Sequence, residues 1–289
     1  MKEDPTENEH EEQVLTVADV EEADELKALF VSTVFKSGTK LLELLLQEIT
    51  GLSARQIGMD IGNDYERVDP ITIENKEIFI WHSMPTEQTR KRLVENNANA
   101  IFLVRNIYDL AVSQYFHFAL DVDAEIGHAT ETREYFDAMT QNEGISLLLC
   151  GAQSNRFTWP GFGSQLYQIQ EMLKFKLLYP SVPTLVVNYD RLVQDKENEI
   201  GRLGSFVGNA IEPEMMASLL EDSSLEAMRE ARKRAAGTGL HFRKGTVGGH
   251  VDVLLPQHYD MINHLIAIHA PALPRLCEET DFTDIFKRA

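Results

Sequence analysis

The chain is short of cysteine, of basic residues and of long apolar runs, and each shortage excludes something. Two cysteines in 289 residues, Cys150 and Cys277, cannot build a disulfide framework, and no Cys/His cluster has zinc spacing. A reducing, cytoplasmic setting is the simplest expectation. No stretch of about 18 apolar residues occurs, so no membrane-spanning helix is expected. The opening MKEDPTENEHEEQ has no apolar core and does not read as a signal peptide. Bases number 27 against 46 acids, a net charge of −19, which is the opposite of a nucleic-acid footprint. Residues 1–25 hold eleven of those acids and one base, and read as a solvated acidic tail ahead of one folded domain, 26–289.

What is present is an alternation of short apolar runs and amphipathic stretches. The runs 28–35, 77–82, 100–106 and 184–189 are apolar and partly β-branched, as buried strands are. Between them, 41–49, 86–97, 107–120 and 190–208 carry helical spacing. The expectation is an α/β domain: a parallel sheet flanked by helices, opened by a phosphate-binding strand–loop–helix. Ligands of such sheets bind beyond the carboxyl ends of the strands. Lys36, His82, Arg105 and Tyr189 all fall at or just past such ends. The segment 121–183 is less regular and reads as a lid or an acceptor-pocket wall.

Three segments carry chemistry. KSGTK (36–40) stands where a strand becomes a helix. There Gly38 permits a tight turn, the first helical N–H groups lack intrahelical acceptors, and Lys36, Ser37, Thr39 and Lys40 add charge and hydroxyls. This is a nest for phosphate or sulfate, although an N-capped helix with a surface lysine would read the same. It is not a Walker A loop, whose first glycine and Gly-Lys step are both missing. RNIYDLAVSQYFHF (105–118) sets Arg105 at a strand end and Ser113 two helical turns on, within reach of one anion. FRKGTVGG (242–249) places Arg243 and Lys244 before Gly245, whose backbone permits close approach of a ligand. No acidic cluster suggests a metal.

In this order the segments resemble the PAPS-dependent sulfotransferases, above all the cytosolic kind; PAPS is 3′-phosphoadenosine 5′-phosphosulfate. VVNYDRL (186–192) and SSLEAM (223–228) add two weaker matches. The resemblance implies that residues 36–40 hold the 5′-phosphosulfate, that Arg105 and Ser113 hold the 3′-phosphate with Arg243, Lys244 and Gly245, and that Tyr189, Ser223 and Leu225 lie at the adenine. It also implies that His82, in WHSMP, is the general base and that Lys36 stabilises developing charge. Leu41 and Leu225 stand where the family has aromatic residues, and GGHVD (248–252) replaces its GDW segment, bringing His250 near as a second candidate at the acceptor.

Each histidine also has a plain alternative, a hydrogen-bonded strand end for His82 and a loop residue for His250. Trp159 and Phe162 could line an acceptor pocket or simply pack a loop. The activity implied is sulfuryl transfer from PAPS, leaving 3′-phosphoadenosine 5′-phosphate (PAP), to an alcohol or phenol. The acceptor would be small, lipid-like, or carried on an acyl carrier protein docked at a basic patch such as 90–92 or 229–234. A nucleotide-dependent phosphotransferase and a catalytically idle PAP-binding protein are the alternatives.

Overall fold

A computed structural model describes residues 27–56, 77–119, 136–153, 158–236 and 245–288. The acidic tail, Arg243, Lys244 and the 121–135 part of the suggested lid lie outside the described residues.

Five parallel strands form the sheet: β1 (Leu29–Thr33), β2 (Ala54–Gln56), β3 (Ile78–Trp81), β4 (Asn99–Val104) and β7 (Thr184–Asn188), in the order β2-β3-β1-β4-β7. A two-residue antiparallel pair, β5 (Ala152–Gln153) and β6 (Thr158–Trp159), stands apart from it. The period of two in a strand sends alternate side chains to opposite faces. On one face Phe30, Phe79, Ala100, Phe102, Val104 and Val186 join one core. On the other Leu29, Val31, Ile78, Ile80, Ile101, Leu103 and Val187 join a second. Both faces are covered, so the strands read as continuous apolar runs rather than as an alternation.

Helix α1 (Thr39–Thr50) packs Leu41, Leu42, Leu45, Leu46 and Ile49 onto the second face. It ends at Gly51, whose left-handed backbone (φ 68°) lets its N–H bond the Gln47 carbonyl. α2 (Glu87–Glu95) is opened by Thr86, which exchanges hydrogen bonds with Thr89. The first face is covered by α3 (Ile107–Ala119), α4 (Gln141–Cys150) and α5 (Phe162–Leu178), and later by α10 (Pro256–His269) and α11 (Leu273–Thr280). α6 (Tyr189–Gln194), α7 (Lys196–Val207), α8 (Pro213–Asp222) and α9 (Leu225–Ala236) follow β7.

The four expected strands are all present, each ending one or two residues earlier than the apolar run. The single helical stretch expected over 190–208 is two helices, broken at Asp195, whose backbone (φ −133°, ψ 52°) is not helical. The irregular stretch 121–183 contains the 17-residue helix α5.

Candidate active site

The sheet register brings the singled-out residues to one edge. Ser32 pairs with Trp81, Thr33 with Leu103, and Val104 with Asn188. His82, Arg105 and Tyr189 are therefore the next residues out of neighbouring strands, and Lys36 lies in the turn leaving β1 between them.

Each carbonyl from Thr33 to Lys36 in that turn has a hydrogen-bond donor. The Thr33 carbonyl accepts from Gln168 Nε2 (3.2 Å), the Val34 carbonyl from the Ser37 N–H (3.0 Å) and Ser37 Oγ (2.6 Å), the Phe35 carbonyl from Gln114 Nε2 (2.9 Å), and the Lys36 carbonyl from Arg105 Nη1 (3.2 Å). Lys36 is held at φ 71°, a left-handed backbone that costs a side-chain-bearing residue about 1–2 kcal/mol. With four consecutive carbonyls engaged, the N–H groups at the head of α1 are left for an anion, at the positive end of the helix dipole. Gly38 (φ 106°) caps the helix, and a Cβ there would overlap the Tyr189 ring. Ser37 Oγ donates to the Val34 carbonyl and so supports the turn. Lys40 Nζ rests on Glu43 at 2.9 Å, half-exposed.

Arg105 is 9% exposed, its guanidinium carbon 4.5 Å from the centre of the Tyr189 ring. Its Nε is buried with no hydrogen-bond partner, and among the described residues no carboxylate forms an ion pair with it. A buried, singly bonded guanidinium calls for an anionic ligand. Beside it, Asn106 Oδ1 accepts from the N–H groups of Tyr108 and Asp109 and so starts α3, while the Asn106 N–H donates to Asp190 Oδ2 (2.7 Å). Burial raises the Asp190 carboxyl to about 6, against the pull of Arg105 and the Asn106 hydrogen bond. Burial likewise pushes the Tyr189 phenol up.

Arg105, Asp109 and Ser113 recur every four residues and share one side of the α3 region. Asp109 accepts from the Gly248 N–H (2.6 Å), the His250 N–H (2.9 Å) and His250 Nδ1 (3.2 Å), anchoring the turn that follows the third motif. Burial disfavours the Asp109 charge, yet the bonds from His250 and Gly248 outweigh it and its pKa is lowered. Sequence reasoning missed Asp109 as an anchor; its place between Arg105 and Ser113 in the helical repeat was the available signal. His250, expected at the acceptor, is 1% exposed, bonded through Nδ1 to Asp109 and packed against Tyr108 and Tyr259 at 5.3 and 6.0 Å, with its Nε2 buried and without a hydrogen-bond partner.

The Ser223 hydroxyl donates to the Leu219 carbonyl (2.5 Å), and the Ser223 carbonyl accepts from Lys196 Nζ (2.7 Å), so this serine fixes the junction of α8 and α9. Leu225 closes on Gly245 (φ 63°), where a Cβ would lie 2.9 Å from its methyls.

His82 is half-buried. Its Nδ1 lies 2.8 Å from Thr33 Oγ1 and 3.1 Å from the Thr33 carbonyl. Burial lowers its pKa below the usual 6.5; the Thr33 hydrogen bond opposes this, and the charges of Lys36 and Lys40 lower it further. The backbone beside it is clamped, since the Ser83 carbonyl accepts from Ser32 Oγ and from Gln168 Nε2 (3.0 Å). Around it stand Phe35 (6.1 Å between ring centres) and, about Phe35, His117 (4.9 Å), Phe118 (6.0 Å) and Trp159 (6.4 Å). Trp159 is 4% exposed and donates to the Leu148 carbonyl, so it packs the core under this cluster.

The arrangement is an anion cradle, a buried guanidinium and an imidazole at one sheet edge. Comparison with known proteins agrees. The sulfotransferase domain family matches residues 26–271. Sulfotransferase 2A1 of Macaca fascicularis is 23% identical over 215 residues, covering 71% of this chain and 64% of that protein. The human protein of the same name is 25% identical over 157 residues, covering 54% and 47%. The chain thus spans less than two thirds of the length of these relatives. Among solved structures, the fold is similar to mouse sulfotransferase SULT7A1 complexed with PAP (TM-score 0.61, 18% identity, 87% and 88% of the two chains). It is also similar to retinol dehydratase in complex with androsterone and PAP (TM-score 0.58, 16% identity, 84% and 80%). With the family matched over most of its length, the chain belongs to the sulfotransferase domain family.

Proposed function

We propose that the chain is a PAPS-dependent sulfotransferase that sulfates a hydroxyl of a small apolar acceptor. One observation carries this reading. Four successive carbonyls of the β1–α1 turn, Thr33 to Lys36, already have hydrogen-bond donors, and the Arg105 guanidinium, buried with no carboxylate partner among the described residues, stands beside the turn, suited to a second phosphate. A nucleotide with phosphates at both ends of its ribose fits this pair of positive sites. PAPS, when bound, supplies an activated sulfuryl group.

The chain's own residues do the rest. The N–H groups at the head of α1 and the Lys36 ammonium stabilise negative charge that grows on the leaving oxygen, without reorganising. His82 takes the proton of the acceptor hydroxyl, for which a lowered pKa keeps it neutral at physiological pH. Phe35, Phe118 and the rim of the aromatic cluster give an apolar acceptor a surface next to the imidazole.

A carrier-bound acceptor has less support. Arg90 and Arg92 each pair with a glutamate on their own helix, and Lys233 pairs with Glu230, which offsets part of the positive charge an acidic partner would meet there. The test is incubation with isotopically labelled PAPS and a panel of phenols, aliphatic alcohols and acyl-carrier substrates, read by mass spectrometry. Labelled ester on a phenol or apolar alcohol supports the proposal. Tight PAP binding with no product on any acceptor would favour an idle PAP-binding protein, and phosphoryl transfer from ATP would favour the phosphotransferase reading.

A further inference from the structure

We propose that Thr33 is a positioning residue: it fixes the tautomer of His82 and joins the imidazole to the phosphate cradle through a one-way chain of hydrogen bonds. The inference rests on the reading of His82 as the base. Its own ground is a set of distances. His82 Nδ1 is 3.1 Å from the Thr33 carbonyl oxygen and 2.8 Å from Thr33 Oγ1. Thr33 Oγ1 is in turn 2.9 Å from Thr39 Oγ1, in the first turn of α1.

A carbonyl oxygen only accepts, and a neutral imidazole has one N–H. If Nδ1 were the bare nitrogen, its lone pair would face the carbonyl lone pairs at 3.1 Å with no proton between them. Nδ1 therefore carries the hydrogen and shares it between the carbonyl and Oγ1 of Thr33. That leaves Nε2 bare, and Nε2 is the nitrogen free to accept a proton from a hydroxyl.

The direction then propagates. Because Thr33 Oγ1 accepts from Nδ1, its own hydrogen goes to Thr39 Oγ1. Thr39, having accepted, turns its hydrogen outward at the head of α1, where the anion nest lies. Each step polarises the next. When Nε2 takes a proton, the imidazolium that results is stabilised by the same two Thr33 oxygens.

The surroundings hold Thr33 for this purpose. It is fully buried at the last position of β1, in register with Leu103 of β4. Gln168, reaching in from α5, donates to both the Thr33 and the Ser83 carbonyls, which bracket His82 in space and in sequence. A second oxygen at this site is useful only as a hydrogen-bond group, since valine fills the same shape without it.

Thr33→Val keeps the volume and the carbonyl and removes Oγ1. Two readouts decide. First, long-range proton–nitrogen NMR of protein labelled with ¹⁵N-histidine assigns the bare ring nitrogen of His82, with His82→Asn identifying its signals. The expected result is a bare Nε2 in the unaltered protein and in Thr33→Val alike, because the carbonyl that sets the tautomer remains. Second, in steady-state kinetics, loss of one hydrogen bond should lower kcat about threefold to tenfold and leave acceptor KM and PAP affinity within about twofold. The acidic limb of the kcat profile should move to lower pH, because an acceptor for the imidazolium has gone. Thr33→Ser, which restores the hydroxyl, should recover turnover and limb together.

A bare Nδ1 in the unaltered protein overturns the proposal. So does a Thr33→Val protein with altered thermal stability but unchanged turnover and unchanged acidic limb, which is what a purely structural threonine would give. If His82→Asn itself retains normal turnover, the base assignment fails, while the NMR readout still decides whether Thr33 sets the tautomer.

Discussion

Half-buried His82 and buried Arg105 and Asp190 are three ionisable residues beyond the carboxyl ends of the strands, and each is held by a different physical arrangement. His82 is kept neutral by burial and by the nearby lysines. On this account turnover rises with pH through a value below 6.5 and is flat at neutrality, since only the neutral ring accepts a proton. An acidic limb above 6.5 would contradict the burial argument. His82→Asn should lower kcat by about 10²–10⁴ and leave PAP affinity unchanged, which steady-state kinetics with parallel titrations would check. Asp190 is perturbed the other way, its folded pKa raised from 3.8 to about 6. Its protonation contributes stability that is complete below about pH 4 and lost as pH rises through about 6, a swing on the order of 3 kcal/mol. Asp190→Asn keeps an oxygen for the Asn106 N–H and removes the titration. Its denaturant midpoint should vary less than that of the unaltered protein between pH 4 and pH 7. An identical pH dependence in both would place the titrating group elsewhere.

Turns matter more than strands or helices at the next scale. The β1–α1 turn works because Gly38 is bare: its φ of 106° is costly for any side chain, and Tyr189 occupies the space a Cβ needs. Gly38→Ala should therefore displace Tyr189 or open the turn, lowering PAP affinity by at least about tenfold and destabilising the fold by about 1–3 kcal/mol. Calorimetry and denaturant unfolding measure the two effects, and normal PAP affinity in that variant would remove Gly38 from the cradle. Much of this turn was legible in the sequence, because KSGT between a strand run and a helix run has a mechanism attached to each residue. The carbonyl ties were not, since they come from Gln114, Gln168 and Arg105, far along the chain. Helix α5 was missed for a related reason. Gln165, Gln168 and Gln170 are buried polar residues that break its apolar period, and Gln168 is buried because it bonds two strand-end carbonyls. A residue placed to brace a site looks like a surface residue until its partners are known.

Across the whole molecule, a parallel sheet collects residues from four separate strand ends at one edge, which is why a one-dimensional reading could place Lys36, His82, Arg105 and Tyr189 together. What it could not place was the inward or outward commitment of each side chain. His250 was drawn to the acceptor by its closeness to the third motif, yet the carboxylate of Asp109 claims its ring and its backbone. Ser223 matched an adenine position, and its hydroxyl belongs to the Leu219 carbonyl. Both contacts follow one rule, that a buried polar group takes a partner that satisfies it. The central claim, that the turn at the head of α1 and the Arg105 guanidinium beside it together take the two phosphate-bearing ends of one nucleotide, is tested most directly by calorimetric titration of PAP and AMP into the protein and into Arg105→Ala. The account predicts that PAP binds at least about tenfold tighter than AMP, as charge-assisted bonds to one added phosphate require, and that Arg105→Ala removes most of that difference. Equal affinities for PAP and AMP in the unaltered protein would contradict it.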